Sequence, residues 1–161
     1  MILSEILDQK YPWKTVERTN GFERAKFTTD DGSPVVVYLS NEYMDLHSLV
    51  QVSFSRNSMQ GLTGAGDQFK ILSTVIDILK DYVHRIKPSV VAFSADKEDK
   101  SRVSVYQKLT TKNAPEDYAK INSSEDVADK DLRAELDQWL KDNRSNFADF
   151  SLIALVRKEY L

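Results

Sequence analysis

The sequence predicts an α/β fold: a mixed, mostly antiparallel sheet with one parallel β-α-β crossover and helices on both faces. Three observations carry this expectation. Period-two alternation runs through Phe22–Thr29 and Leu49–Ser55, with the β-branched apolar run Val35–Leu39 between them. A helix with two apolar stripes then follows a glycine-rich turn. A short apolar strand, Val90–Ser94, comes directly after that helix. A strand, helix and strand in this order join as a parallel pair with a crossover.

The opening segment MILSEILDQK reads as a short amphipathic helix with Ile2, Leu3, Ile6 and Leu7 on one side. Its early acids and lack of a basic start argue against a secretory signal. Tyr11-Pro12-Trp13 breaks the pattern, because proline disfavours helix in the residue before it. In Phe22–Thr29, Ala25 and Phe27 share a face. Asp30-Asp31-Gly32-Ser33 is a turn, since Asp and Gly tolerate the left-handed backbone of a tight hairpin. Val35–Leu39 is β-branched and reads as a central strand, and Asn41–His47 reads as a loop. In Leu49–Ser55, Val50, Val52 and Phe54 face one way, and Gln51, Ser53 and Ser55 the other. These segments predict an antiparallel meander.

Gln60-Gly61-Leu62-Thr63-Gly64-Ala65-Gly66-Asp67 holds three of the chain's five glycines. Helical spacing starts there: Phe69, Leu72, Ile76, Leu79 and Val83 form one stripe, and Ile71, Val75, Ile78 and Ile86 a second. A helix apolar on two sides is buried on two sides. It stops near Lys87-Pro88. After the strand Val90–Ser94, a charged turn through Arg102 caps a second helix. That helix reaches about Thr111 and turns Val103, Tyr106 and Leu109 inward. Asn113–Asp126 is polar and reads as irregular. Asp129–Asn143 is a helix with Leu132, Leu136, Trp139 and Leu140 inward, and Phe150–Val156 is a final strand.

Composition bounds the function. The 161 residues suit one domain with a real core, and 41% hydrophobic with 29% charged residues is a globular balance. A net charge of −3 gives no electrostatic case for nucleic acid. No apolar stretch is long enough to span a membrane. Cysteine is absent, which excludes disulfides, thiolate-bound zinc and a cysteine nucleophile and is compatible with a reducing cytoplasm.

The unit of strand, glycine turn and buried helix carries the chemistry. Glycines admit close approach of the backbone to a ligand. The first N–H groups of the helix, at the positive end of its dipole, favour an anion such as a pyrophosphate. The run Gly61 to Gly66 is neither a P-loop nor the dinucleotide fingerprint. The alternative is that these glycines only turn the chain into a packed helix.

The order of meander, glycine turn, long helix, strand and tyrosine-bearing helix resembles the GNAT family of N-acetyltransferases. Its turn, Gln/Arg-x-x-Gly-x-Gly/Ala, is similar to Gln60, Gly61, Leu62, Thr63, Gly64, Ala65 and Gly66, here one residue longer. Its second-helix run, Asn-x-x-Ala-x-x-Leu-Tyr-x-Lys-Leu-Gly-Phe, is similar to Lys100–Leu109, with Thr110-Thr111 in place of Gly-Phe. The resemblance covers roughly residues 48–112. It implies that the turn binds the pyrophosphate of acetyl-CoA or another acyl-CoA; apart from it, no converging ligands in the sequence nominate a metal. It implies that strands Val50–Ser55 and Val90–Ser94 splay to admit the pantetheine arm, and that Tyr106 is the general acid. The family's final strand pair is expected to be replaced by a polar stretch, a helix and one strand. The domain therefore divides into a helix and meander (1–47), the core (48–112) and a divergent part (113–161). Gly64-Ala65-Gly66-Asp67, with Ser94, Asp96, Lys97, Ser101, Arg102 and Tyr106, also resembles small proteins of tailed bacteriophages. That resemblance implies a host-cytoplasmic or virion location and a host or virion protein as partner, without an enzymatic role as the alternative.

Other candidates each have a plainer reading. Tyr106 is also a good amphipathic core residue. Asp96, Glu98 and Asp99 suit a helix cap better than a metal. His47 lies in a loop and His84 at a helix end, where a cation suits the dipole. Gln51, Ser53 and Ser55 line either an acceptor pocket or a solvent face. Glu42 and Asp45 are candidate bases by position alone. Lys97, Lys100, Arg102 and Lys108 contact CoA phosphates or form a solvated face.

Overall fold

A computed structural model describes residues 9–56, 68–96, 100–143 and 150–161. The elements run in the order β1 (Trp13–Thr19), β2 (Phe22–Thr28), β3 (Pro34–Tyr43), β4 (Ser48–Arg56), α1 (Gln68–Ile86), β5 (Val90–Asp96), α2 (Lys100–Lys112), β6 (Tyr118–Ile121), α3 (Lys130–Asp142) and β7 (Phe150–Arg157). The seven strands form one sheet in the order β1-β2-β3-β4-β5-β7-β6. Its pairs are antiparallel except β4 with β5, which are parallel and joined through α1. The expected class and crossover are what the chain adopts.

Alternation sets the faces. Ala25, Phe27, Val35, Val37, Leu39, Val50, Val52 and Phe54 are buried together with Ile71, Leu72, Val75, Ile78 and Leu79 of α1. Each such aliphatic side chain contributes about 1.5–3 kcal/mol by leaving water. The opposite residues of the next strands, Leu49, Val90, Ala92 and Val156, are buried with Leu132, Leu136 and Trp139 of α3. Helices thus lie against both faces. Both stripes of α1 are buried as expected, except Phe69, which is half-buried, and Ile86, which is 41% exposed at the helix end. The hairpin at Asp30-Asp31-Gly32-Ser33 closes with Thr29 N–H on the Ser33 carbonyl at 2.9 Å, and Gly32 takes φ +84.

One strand was not expected, and two expectations are corrected. Trp13–Thr19 is an edge strand, invisible to alternation because most of its residues are exposed. β3 continues through Tyr43, so the expected loop from Asn41 shrinks to residues 44–47; Asn41, Glu42 and Tyr43 still pair with β4. Asn113–Asp126 is not irregular throughout. It carries β6, which pairs with β7 along Tyr118↔Arg157 to Ile121↔Ala154, so a final antiparallel strand pair is present. A single turn of 3-10 helix at Ser124–Asp126 comes after β6, capped by Ser123. The opening helix and the glycine turn, including Gln60, Gly61, Leu62, Thr63, Gly64, Ala65 and Gly66, lie outside the described residues.

Candidate functional site

The site is built where the parallel pair separates. β4 and β5 are in register at Leu49↔Val90, Val50↔Val91, Gln51↔Ala92 and Val52↔Phe93, and the ladder ends there. Both strands run on, β4 to Arg56 and β5 to Asp96. Each keeps its outer neighbour: Arg56 still pairs with Val35, and Asp96 with Phe150. The sheet therefore parts between its two halves at the carboxyl ends of its parallel strands. In open α/β sheets ligands bind at that end.

Tyr106 of α2 sits at this parting. It is fully buried, its ring edge-on to Phe54 at 5.6 Å and tilted against Phe93 at 5.2 Å. Phe93 belongs to the last β4–β5 pair, and Phe54 lies just beyond it on β4. The three rings fill the α1 side of the wedge. The periodicity of α2 already placed Tyr106 inward; the contact with both strands needed the fold. The side chains of Val103 and Leu109 lie outside the described residues.

Two helices begin at this end. α1 starts at Gln68 and α2 at Lys100, and neither has an acid in its first turn. Asp67 precedes the first start and Glu98 and Asp99 the second in sequence, and all three lie outside the described residues. Lys108 of α2 reaches over the Phe69 ring at 5.5 Å, which puts a cation beside the start of α1. Residues 57–67, with the glycine run Gly61 to Gly66, lie between β4 and α1 in sequence and outside the described residues. On the other side of β4, Ser53 is exposed and Ser55 half-buried, both beyond the last β4–β5 pair. Lys97, Glu98 and Asp99 lie outside the described residues, as do the side chains of Asp96, Lys100 and Arg102.

Other candidates are elsewhere. Glu42, Asp45 and His47 lie at the β3–β4 turn, the opposite end of β4 from the parting. There Glu135 of α3 organises the loop. Its Oε1 accepts the backbone N–H groups of Asp45, Leu46 and His47 at 2.9, 2.6 and 3.0 Å, and its Oε2 meets His47 Nδ1 at 2.5 Å. Burial pushes the Glu135 carboxyl up, but these hydrogen bonds outweigh it and hold the group below its ordinary value. Glu42 accepts from the Trp139 indole N–H. These carboxylates edge a cleft of about 410 Å³ and act as structural acceptors. Sequence reasoning missed Glu135, whose partners are 88–90 residues away. His84 is exposed near the C-terminal end of α1, also remote from the parting.

No family model matches the chain, and no curated protein does.

Among the described residues no three His, Cys, Asp or Glu side chains gather to hold a metal ion, and no helix is long and apolar enough to cross a membrane.

Proposed function

We propose that the chain binds an acyl-CoA at the parting of β4 and β5 and transfers the acyl group to an amine. The parting carries this reading: parallel strands lose their ladder after Val52↔Phe93, with Tyr106 packed into the wedge. The strand order and the antiparallel β6–β7 pair support a GNAT-like arrangement. In it, the backbone N–H groups of Gly61 to Gly66 and the start of α1 hold the pyrophosphate, with Gln60 at the turn's entry. The pantetheine arm enters between the strands. The amine attacks the thioester carbonyl, the C–N bond forms, and the C–S bond breaks. The Tyr106 hydroxyl gives its proton to the departing thiolate, and the ammonium proton passes to solvent.

Calorimetric titration with acetyl-CoA tests this. Wild-type protein is expected to bind with a Kd on the order of 1–10 μM, a free energy of about 7–8 kcal/mol. Gly64→Val abolishes the heat by filling the pyrophosphate cradle. Tyr106→Phe keeps binding but lowers turnover of an amine acceptor about 100-fold. Absence of heat at millimolar ligand overturns the reading.

The second reading is a non-enzymatic module that binds a host or virion protein. The full burial of Tyr106 between Phe54 and Phe93 favours it, because the wedge is then filled by the chain's own rings. Unchanged turnover in Tyr106→Phe removes the catalytic role and favours this reading.

A further inference from the structure

A second feature lies beside the parting, on the sheet face covered by α3. There the structure forms a partly open pocket of about 120 Å³, with Leu49, Val90, Ala92 and Ala154 on the sheet side and Leu136 and Leu140 of α3 opposite. Its origin is legible in the register. Ala92 of β5 and Ala154 of β7 are direct cross-strand partners. Two methyl side chains therefore sit side by side beneath α3, while the neighbouring row carries Leu49, Val90 and Val156. A buried helix cannot sink into so local a depression, and the space stays open. Asn122, Ser123 and Ser124 stand at one side of it, and the rest of its wall is apolar.

The position relative to the parting gives this cavity a use. Ala92 pairs with Gln51 and immediately precedes Phe93, the residue that ends the β4–β5 ladder. The cavity is thus one residue short of the parting, on the face opposite Tyr106. A thioester whose sulfur meets Tyr106 has its carbonyl at the parting. On the α1 side Phe54, Phe93 and Tyr106 are buried, and Tyr106 packs on both other rings. On the α3 side there is apolar space. We infer that this cavity receives the acyl chain and selects a short, unbranched one. The inference rests on the acyl-CoA reading above. An apolar cavity of about 150 Å³ accepts a benzene ring, so this smaller one suits a chain of about four carbons.

The test titrates CoA, acetyl-CoA, butanoyl-CoA and dodecanoyl-CoA into wild-type protein and into Ala154→Leu, with Ala92→Val as a second, smaller filling. Unfolding midpoints check that each variant is folded. Wild-type protein is expected to bind butanoyl-CoA roughly tenfold more tightly than acetyl-CoA, from two further buried methylenes. Dodecanoyl-CoA gains nothing beyond butanoyl-CoA. Filling the cavity at either alanine brings butanoyl-CoA level with acetyl-CoA. If CoA and acetyl-CoA bind but the four-carbon chain brings no gain, or if the gain survives both fillings, the cavity is not the acyl site and the acyl-CoA reading stands. If no thioester and no CoA binds, both fall together.

Discussion

Lys87 follows the last residue of α1 at φ +54, and its N–H closes on the Val83 carbonyl at 2.9 Å. This is the left-handed stop that ends many helices, made here by a residue with a Cβ. The conformation costs a non-glycine residue about 1 kcal/mol. Pro88 cannot continue the helix, so the stop is placed by sequence while its strain is a product of the chain's path. Lys87→Gly is expected to raise stability by about 1 kcal/mol in urea unfolding. An unchanged or lower midpoint means that contacts of the lysine offset the strain. Glu135 shows the other side of residue-scale legibility. Its helical position is readable, but its three N–H donors and His47 come from a loop that only the sheet brings near.

Elements were legible where one periodicity dominated. α3 was expected at Asp129–Asn143 and forms at Lys130–Asp142, with Asp129 and Asn143 as its caps. Asp129 accepts the Leu132 N–H at 2.9 Å. Asp129→Ala is expected to cost about 1 kcal/mol and to lower the thermal midpoint by several degrees. No change shows that the helix is held by its buried face alone. β1 and β6 were not legible for different reasons. β1 is an edge strand in which only Trp13 and Thr15 are half-buried and the rest is exposed. β6 has four residues, and only Tyr118 and Ile121 are buried. Pairing with a neighbour, rather than local preference, makes each a strand.

At the scale of the molecule, three carboxylates tie distant segments together. Glu23 on β2 holds Arg85 near the end of α1 at 2.8 Å and Arg18 of β1 at 3.2 Å. Asp77 of α1 accepts from Trp13 Nε1 at 2.9 Å and from Lys10 at 3.0 Å. Glu135 holds the loop before β4. Burial raises each carboxyl, and its hydrogen bonds and cations outweigh that, so all three lie below their ordinary values of 4.5 for glutamate and 3.8 for aspartate. A carboxyl depressed in the folded state stabilises it above the unfolded value, and that contribution is lost as pH falls through the folded one. Unfolding free energy is expected to change little through these groups from pH 7 to about 5 and then to fall steadily. Urea titrations from pH 7 to 3 read this, and Glu23→Gln flattens the acid limb. An identical limb in the variant shows that Glu23 contributes nothing to it.

The residues alone determined the class, the meander, the two-sided burial of α1, the parallel crossover after it and the inward position of Tyr106. Each is a consequence of apolar spacing, which burial must obey whatever the neighbours are. Only the tertiary structure decided where β4 and β5 part, that Phe54 and Phe93 flank Tyr106, and that Ala92 meets Ala154 beneath α3. These depend on strand register, which is set by the whole sheet closing on its two cores. No local window of sequence holds that information, because the paired residues come together only when the chain has folded.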